Sequence, residues 1–127
     1  MADELKGSLS VTFNKNSAST SKAESFTIDV TGNAYHQGVQ VISSDSVRED
    51  IMDNSDIGAI GYFYLKLLSA PSASTYIQWG NTNDTNYGGK LKVGESCLVR
   101  AKHSTAVLYV IASADEDCEV EYLIIEE

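Results

Sequence analysis

The stretch KLKVGESCLVRAKHSTAVLYVIASADEDCEVEYLIIEE, residues 90–127, contains short apolar runs separated by turn-forming residues. The breaks are Val-Gly-Glu at 93–95 and Ala-Asp-Glu-Asp at 114–117, because glycine and clustered acidic residues favour turns over strands. In the last run apolar and acidic positions alternate, as in a half-buried strand: Cys118, Val120, Tyr122 and Ile124 against Glu119 and Glu121. We therefore predict a meander of three consecutive antiparallel strands, onto which the rest of the chain is built.

The strands of this stretch are apolar on more than one face. The outer face of the last strand becomes apolar at Leu123 and Ile125, and the preceding run, 106–113, is apolar on both faces. A single core covers only one face of a strand, so we expect a second sheet on one side and another subunit on the other. With Leu5, the apolar anchor of a polar N-terminal arm at 1–7, the candidate interface is Leu5, Leu108, Val110, Leu123 and Ile125.

The remaining strands follow from alternation and turn residues along the chain. A first strand at 9–13 ends in a polar loop at 14–21, and further strands are predicted at 26–30, 35–43, 60–68 and 75–80. The strand at 60–68 is apolar on both faces and is expected to lie centrally in its sheet. We predict an all-β fold, an antiparallel β-sandwich of jelly-roll type with about eight strands.

Composition limits the classes of protein that the chain can form. Its 127 residues are 43% hydrophobic and 21% charged, which fits one globular domain with a core of its own. Nine basic against 18 acidic residues give a net charge of −9, which disfavours nucleic acid and anionic membranes as partners. The opening MADELKGS lacks the features of a secretory signal, so we expect synthesis and folding in a cytoplasm.

Two polar segments invite a ligand hypothesis. The segment 44–58 holds five acidic residues but lacks the spacing of a calcium loop, so a solvated acidic loop is the better interpretation. The loop 81–89, next to a tryptophan, is a weak candidate for a glycan site, because aromatic rings stack on sugars while amides and carboxylates bind hydroxyls. The candidate residues are Trp79, Asn83, Asp84 and Tyr87. A core tryptophan and an ordinary loop are the simpler alternative.

Residues that would indicate catalysis are scarce. The two histidines, His36 and His103, have no metal-ligand spacing to other side chains, and no nucleophile-elbow, phosphate-loop or zinc-protease motif occurs. Cys97 and Cys118 fall on inward faces of predicted strands and could be neighbours across the sheets, so a disulfide between them is the alternative to two free thiols. A chain made in a reducing compartment usually keeps its thiols, which favours the free form. We expect no enzyme, no cofactor and no metal.

Several short motifs, in a fixed order, resemble a group of small virion proteins of tailed phages. They are GYFYL at 61–65, YIQWG at 76–80, LKVGE at 91–95 followed by Arg100, Leu108-Tyr109 and EYLIIE at 121–126. The resemblance covers the chain from Gly61 to the end and implies a β-sandwich of a phage structural module, some of which are capsid decoration or cement proteins. It implies no catalytic residues. The chain departs from the pattern at 67–70 and at Val93, where a proline is common.

Two classes of function follow from these observations. The first is a capsid decoration or cement protein on the virion surface, a homo-oligomer with a trimer favoured, which bridges capsomers of the major capsid protein. The second is a glycan- or host-binding module of a head fibre, spike or tail.

Overall fold

The computed structural model describes residues 5–47, 49–50, 57–80, 88–101 and 108–126. Within these ranges the chain is all-β with antiparallel pairing throughout and no helix, as predicted. The ten strands are β1 Leu5–Lys15, β2 Ala18–Ile28, β3 Tyr35–Ile42, β4 Glu49–Asp50, β5 Ile60–Ser69, β6 Tyr76–Gly80, β7 Gly89–Lys92, β8 Ser96–Arg100, β9 Tyr109–Ala112 and β10 Cys118–Glu126. Even without the two-residue β4, the count exceeds the predicted eight.

The chain divides into two compact units, Met1–Thr31 and Gly32–Glu127. Compactness does not show that a unit folds alone, so the single domain expected from chain length stays a prediction. In the first unit, β1 and β2 form a hairpin paired over all 11 residues of each strand. Its loop is only Asn16-Ser17, with Asn16 at φ 54°, a left-handed conformation that asparagine tolerates.

The N-terminal third of the sequence was therefore predicted incorrectly in two respects. Most residues of the expected loop at 14–21 continue the strands, because a two-residue turn lets the ladder run to its end. The expected arm at 1–7 overlaps β1, since Leu5 pairs with Ile28 and Gly7 pairs with Phe26. Residues 1–4 lie outside the described part of the chain.

The second unit contains two four-stranded sheets. The first sheet has the order β3-β10-β5-β8 and the second sheet has the order β4-β9-β6-β7. Their inner faces contribute to one hydrophobic core: Phe63, Leu65, Leu67, Val120 and Ile124 from the first sheet, and Ile77, Leu91, Val110 and Ala112 from the second. The predicted central position of the strand at 60–68 is confirmed, because β5 lies between β10 and β8.

The predicted meander at 90–127 is wrong, although its strands exist. Strand β8 pairs with β5, β9 pairs with β4 and β6, and β10 pairs with β3 and β5. Consecutive strands of this stretch therefore alternate between the two sheets instead of pairing with each other. Strand spacing shows where strands begin and end, but several pairings satisfy the same spacing.

The predicted faces of the last strand are confirmed. Cys118, Val120 and Ile124 are fully buried, whereas Glu119 is exposed. The turn before β8 also forms as predicted: Glu95 N donates to Lys92 O at 2.9 Å, and the intervening glycine has φ 86°.

The end of β10 holds two earlier segments of the second unit in place through one carboxylate. Oε2 of Glu126 accepts hydrogen bonds from the backbone N–H groups of Asn33 at 2.8 Å and Ala34 at 3.1 Å, and Oε1 accepts one from Gly58 at 3.1 Å. These backbone donors lower the pKa of Glu126 in the folded chain. The final strand thus fixes both the start of the unit and the approach to β5.

Val120→Asp is expected to abolish cooperative folding, because an unpaired carboxylate in the core costs several kcal/mol, against a total stability of about 5–15 kcal/mol. The neighbouring Glu121→Ala is the control: it removes one part-buried hydrogen bond from Tyr64, worth about 1 kcal/mol. Thermal unfolding followed by circular dichroism measures both. A Val120→Asp protein that melts cooperatively near the wild-type temperature would show that the core is assigned incorrectly.

Glu126→Gln is expected to lower the unfolding temperature at pH 7 and to have a progressively smaller effect as the pH falls below about 4.5. The folded-state pKa is depressed, so the carboxylate stabilises the fold above its ordinary pKa of about 4.5, and this contribution is lost as the pH falls through the folded value. Thermal melts of both proteins across this range give the comparison. Asp115→Asn, in an exposed turn, serves as the charge control, and an equal loss at all pH values would contradict the prediction.

Candidate interaction surfaces

The outward side of the first sheet exposes a large apolar surface. Because side chains alternate along a strand, the burial of Val120 and Ile124 directs Leu123 and Ile125 away from the core. We call this surface the outer sheet face and define it by Tyr35, Val39, Val41, Tyr64, Leu98, Leu123 and Ile125. Four of these side chains are exposed: Tyr35 at 63%, Val39 at 56%, Val41 at 48% and Leu98 at 42%.

Strand register makes the outer sheet face continuous. Leu123 of β10 pairs with Gln37 of β3 and with Tyr64 of β5, and Tyr64 pairs with Leu98 of β8. One row of side chains therefore crosses all four strands. In the next row Ile125 of β10 has Tyr35 and Tyr62 as its neighbours. Adjacent cross-strand pairs of this kind form a contiguous surface, unlike singly scattered apolar residues.

A shallow groove of about 510 Å³ lies on this side of the sheet, lined by Gln37, Gly38, Val39, Tyr64, Glu121, Tyr122 and Leu123. Tyr64 donates its hydroxyl proton to Oε1 of Glu121 at 3.0 Å. Partial burial, together with this bond to a carboxylate, raises the pKa of Tyr64. The Tyr64 phenol therefore remains a neutral hydrogen-bond donor at neutral pH. The groove thus combines apolar side chains with the Glu121 carboxylate, which this hydrogen bond holds in place.

Charged residues flank the apolar part of the outer sheet face. Lys66 lies opposite Glu121 in the register of β5 and β10, and Nη1 of Arg100 donates to the Tyr62 hydroxyl at 2.8 Å. The guanidinium also lies 5.3 Å from the centroid of the Tyr62 ring. An apolar centre with a charged rim is the arrangement found at protein–protein interfaces.

Only part of the predicted interface lies on exposed surface. Leu123 and Ile125 lie on the outer sheet face, as expected. Leu108 and Val110 are 2% and 0% exposed and belong to the core, so we remove them from the candidate interface. The reason is that β9 lies in the second sheet and directs Val110 and Ala112 inward. Sequence alone showed two apolar faces on this strand but not which of them the core would cover.

Leu5 lies on a second surface, one face of the hairpin. We call it the hairpin face; its apolar side chains are Leu5, Leu9, Val11 and Phe13 from β1 with Phe26 and Ile28 from β2. Leu9, Val11 and Phe13 are exposed at 63%, 54% and 51%. The sequence predicted strands at 9–13 and 26–30 but not their pairing as one long hairpin. The overlooked signal was the short Asn-containing turn between two alternating segments, which is typical of a hairpin.

Of the four predicted glycan residues, the structure describes only Trp79. Trp79 packs edge-on against Phe63, with ring centroids 5.3 Å apart and planes at 73°. Side chains built on Gly88 or Gly89 would overlap the indole, so backbone covers part of that ring. Trp79 is thus a packed residue adjoining the core, and its buried Nε1 has no hydrogen-bond partner among the described residues. Asn83, Asp84 and Tyr87 lie outside the described residues.

The described residues hold no arrangement that indicates catalysis. Cys97 and Cys118 are free thiols, as predicted, and burial raises the pKa of each, which disfavours the reactive thiolate. No cluster of three or more potential metal ligands occurs within these ranges. In the same part of the chain, no helix is long and apolar enough to cross a membrane.

Comparison of the chain with protein-family models, with curated proteins and with solved structures gave no match in any of the three.

Proposed function

We propose that this chain is a structural virion protein, a phage capsid decoration or cement protein without enzymatic activity. The observation that carries the proposal is the outer sheet face. The inner side of the same sheet already fills the core, so the exposed apolar side chains on the outer side are not needed to fill it. Extended apolar patches with charged rims are typical of surfaces that bind other proteins.

We further propose that the second unit is a jelly-roll β-sandwich. The support is the sheet order: successive strands alternate between the two sheets, except for β6 and β7, which form a hairpin within the second sheet. Jelly rolls are double-sheet folds with eight strands and occur in viral capsid proteins and in lectins. The architecture fits both a virion protein and a glycan-binding module, so function has to be argued from surfaces.

The virion assignment rests on the resemblance of the segments from Gly61 onward to small tailed-phage proteins. A decoration protein needs a stiff body, one surface for the capsid and a solvated exterior. Antiparallel sheets supply stiffness, and a net charge of −9 keeps exposed regions solvated. The partners we propose are the major capsid protein and other copies of this chain, with a trimer as the favoured oligomer, because closed symmetry buries identical patches without fibre growth.

Val39→Lys is expected to weaken binding to undecorated capsids of the source phage by at least about tenfold. Val39 lies on β3, the edge strand of the outer sheet face, and is 56% exposed, so lysine is tolerated in the free chain. In a complex the added ammonium group would be desolvated, and its one carboxylate neighbour across the strands, Glu121, already accepts a hydrogen bond from Tyr64, so the change opposes binding. The measurement is the number of bound copies against protein concentration, with light scattering of the free protein alongside.

Val93→Lys is the matched control, because Val93 is 45% exposed in the turn before β8 and lies off the outer sheet face. We expect it to bind capsids as the wild type does. Equal binding by both variants would exclude the outer sheet face as the capsid contact. A wild-type chain that ignores capsids and binds an oligosaccharide or fractionates with tails would replace this proposal by the binding-module alternative.

A further inference from the structure

The two faces of the hairpin differ sharply in chemistry. The hairpin face holds every large apolar side chain of the two strands. The opposite face holds Lys6, Ser8, Ser10, Thr12, Asn14, Ser19, Ser21, Ala23, Ser25 and Thr27. Near the centre of the hairpin face, Leu9 and Val11 are more than half exposed. Because an isolated two-stranded hairpin is marginally stable in water, a cover from outside the chain would stabilise it.

Two charged residues at the centre of the hairpin face restrict what that cover can be. Lys22 pairs with Val11, and Glu24 pairs with Leu9, so both side chains lie among the apolar ones. A purely apolar partner would desolvate them without compensation. A matching surface has to present an acid opposite Lys22 and a base opposite Glu24 while placing apolar groups over Leu9 and Val11.

The hairpin face itself meets this requirement. Each strand has 11 residues, and their midpoints, Ser10 and Ala23, are paired in the register. Consider two hairpins stacked face to face and related by a two-fold axis that lies midway between them and runs across the strands at the level of Ser10 and Ala23. This axis places β1 over β1 and β2 over β2, with the strand direction reversed. Leu9 of one copy then lies over Val11 of the other, and Lys22 lies over Glu24, twice by symmetry.

Other stacking arrangements fit less well. An axis parallel to the strands would place β1 over β2 and hold both charged side chains against Leu9 and Val11 of the second copy, which is unfavourable. In the favoured arrangement the long side chains of Lys22 and Glu24 can span the roughly 10 Å between packed sheets. Stacked sheets are also rotated relative to each other by about 30°. Lys22 and Glu24 each lie one residue from the two-fold axis, where this rotation displaces side chains least.

We propose that the hairpin face binds the hairpin face of a second copy of this chain through this two-fold contact. The area is modest: a face of 11-residue strands is about 37 Å by 10 Å, so both copies together cover roughly 700 Å², below the 1,200–2,000 Å² of stable complexes. The contact is therefore weak between free chains. It strengthens where copies are held side by side, because the local concentration then reaches about millimolar.

Charge reversal tests the proposal with the full chain. Lys22→Glu or Glu24→Lys replaces two symmetric ion pairs by like-charge contacts, and each variant is expected to raise the self-dissociation constant roughly tenfold. An equimolar mixture of the two variants restores opposite charges across the contact, so it is expected to associate as the wild type does. The double variant K22E/E24K should do the same.

Sedimentation equilibrium from about 10 µM to about 1 mM covers the range expected for a weak contact. Lys6→Glu makes the same substitution on the polar face of the hairpin and is expected to leave association unchanged. All measurements are repeated in the Val39→Lys background, so that association through the outer sheet face cannot mask or mimic the hairpin contact. Capsid binding is scored separately, because the hairpin contact does not depend on a virion role.

Two results would overturn the inference. The first is a Val39→Lys chain with an unaltered hairpin that shows no self-association up to about 1 mM. The second is a mixture of Lys22→Glu and Glu24→Lys chains that associates no better than either variant alone, since only direct pairing of the two residues predicts recovery. Circular dichroism of each variant confirms that the strands remain formed.

Discussion

The core shared by the two sheets is the interaction on which the other features of the second unit depend. It fixes the inward side of every long strand, and through side-chain alternation it also decides which residues face outward. Val120 and Ile124 are buried on β10, so Leu123 and Ile125 have to lie on the outside of the same strand. The outer sheet face is thus a direct consequence of core packing in a chain that is apolar on both sides of its central strands.

The last strand, β10, connects the beginning of the second unit to its central strand. Strand β10 lies between β3 and β5 in the first sheet. The first strand of the unit, β3, therefore joins this sheet only through the last strand, β10. Glu126 strengthens this pairing by accepting hydrogen bonds from the backbone N–H of Asn33, which precedes β3, and of Gly58, which precedes β5. Most contacts of the core join residues distant in sequence, and folds of this kind form slowly because loop closure precedes the stabilising contacts.

Local pattern was sufficient for some features and insufficient for others. The positions of most strands of the second unit, the inward face of β10 and the turn at Gly94 depend on neighbouring residues and were predicted. Strand β4, inside the expected acidic loop 44–58, and the extension of β1 and β2 into the expected loop 14–21 were not. The pairing of β9 was not, and the error moved Leu108 and Val110 from the core to a proposed interface. The residue spacing of a strand is the same whichever partner it pairs with, so pairing has to be decided by non-local packing that no short pattern contains.

The two apolar surfaces call for different kinds of partner. The outer sheet face is uneven, with a groove, a phenol bound to a carboxylate and charges at its rim, and such a surface fits a partner of different shape. The hairpin face is long, Ser10 and Ala23 mark the midpoints of its strands, and its central charges complement those of a rotated copy. Under the two proposals, the outer sheet face attaches the chain to a capsid and the hairpin face joins neighbouring copies on it. Binding at the first surface raises the local concentration for the second, so two weak contacts reinforce each other without any rearrangement of the core.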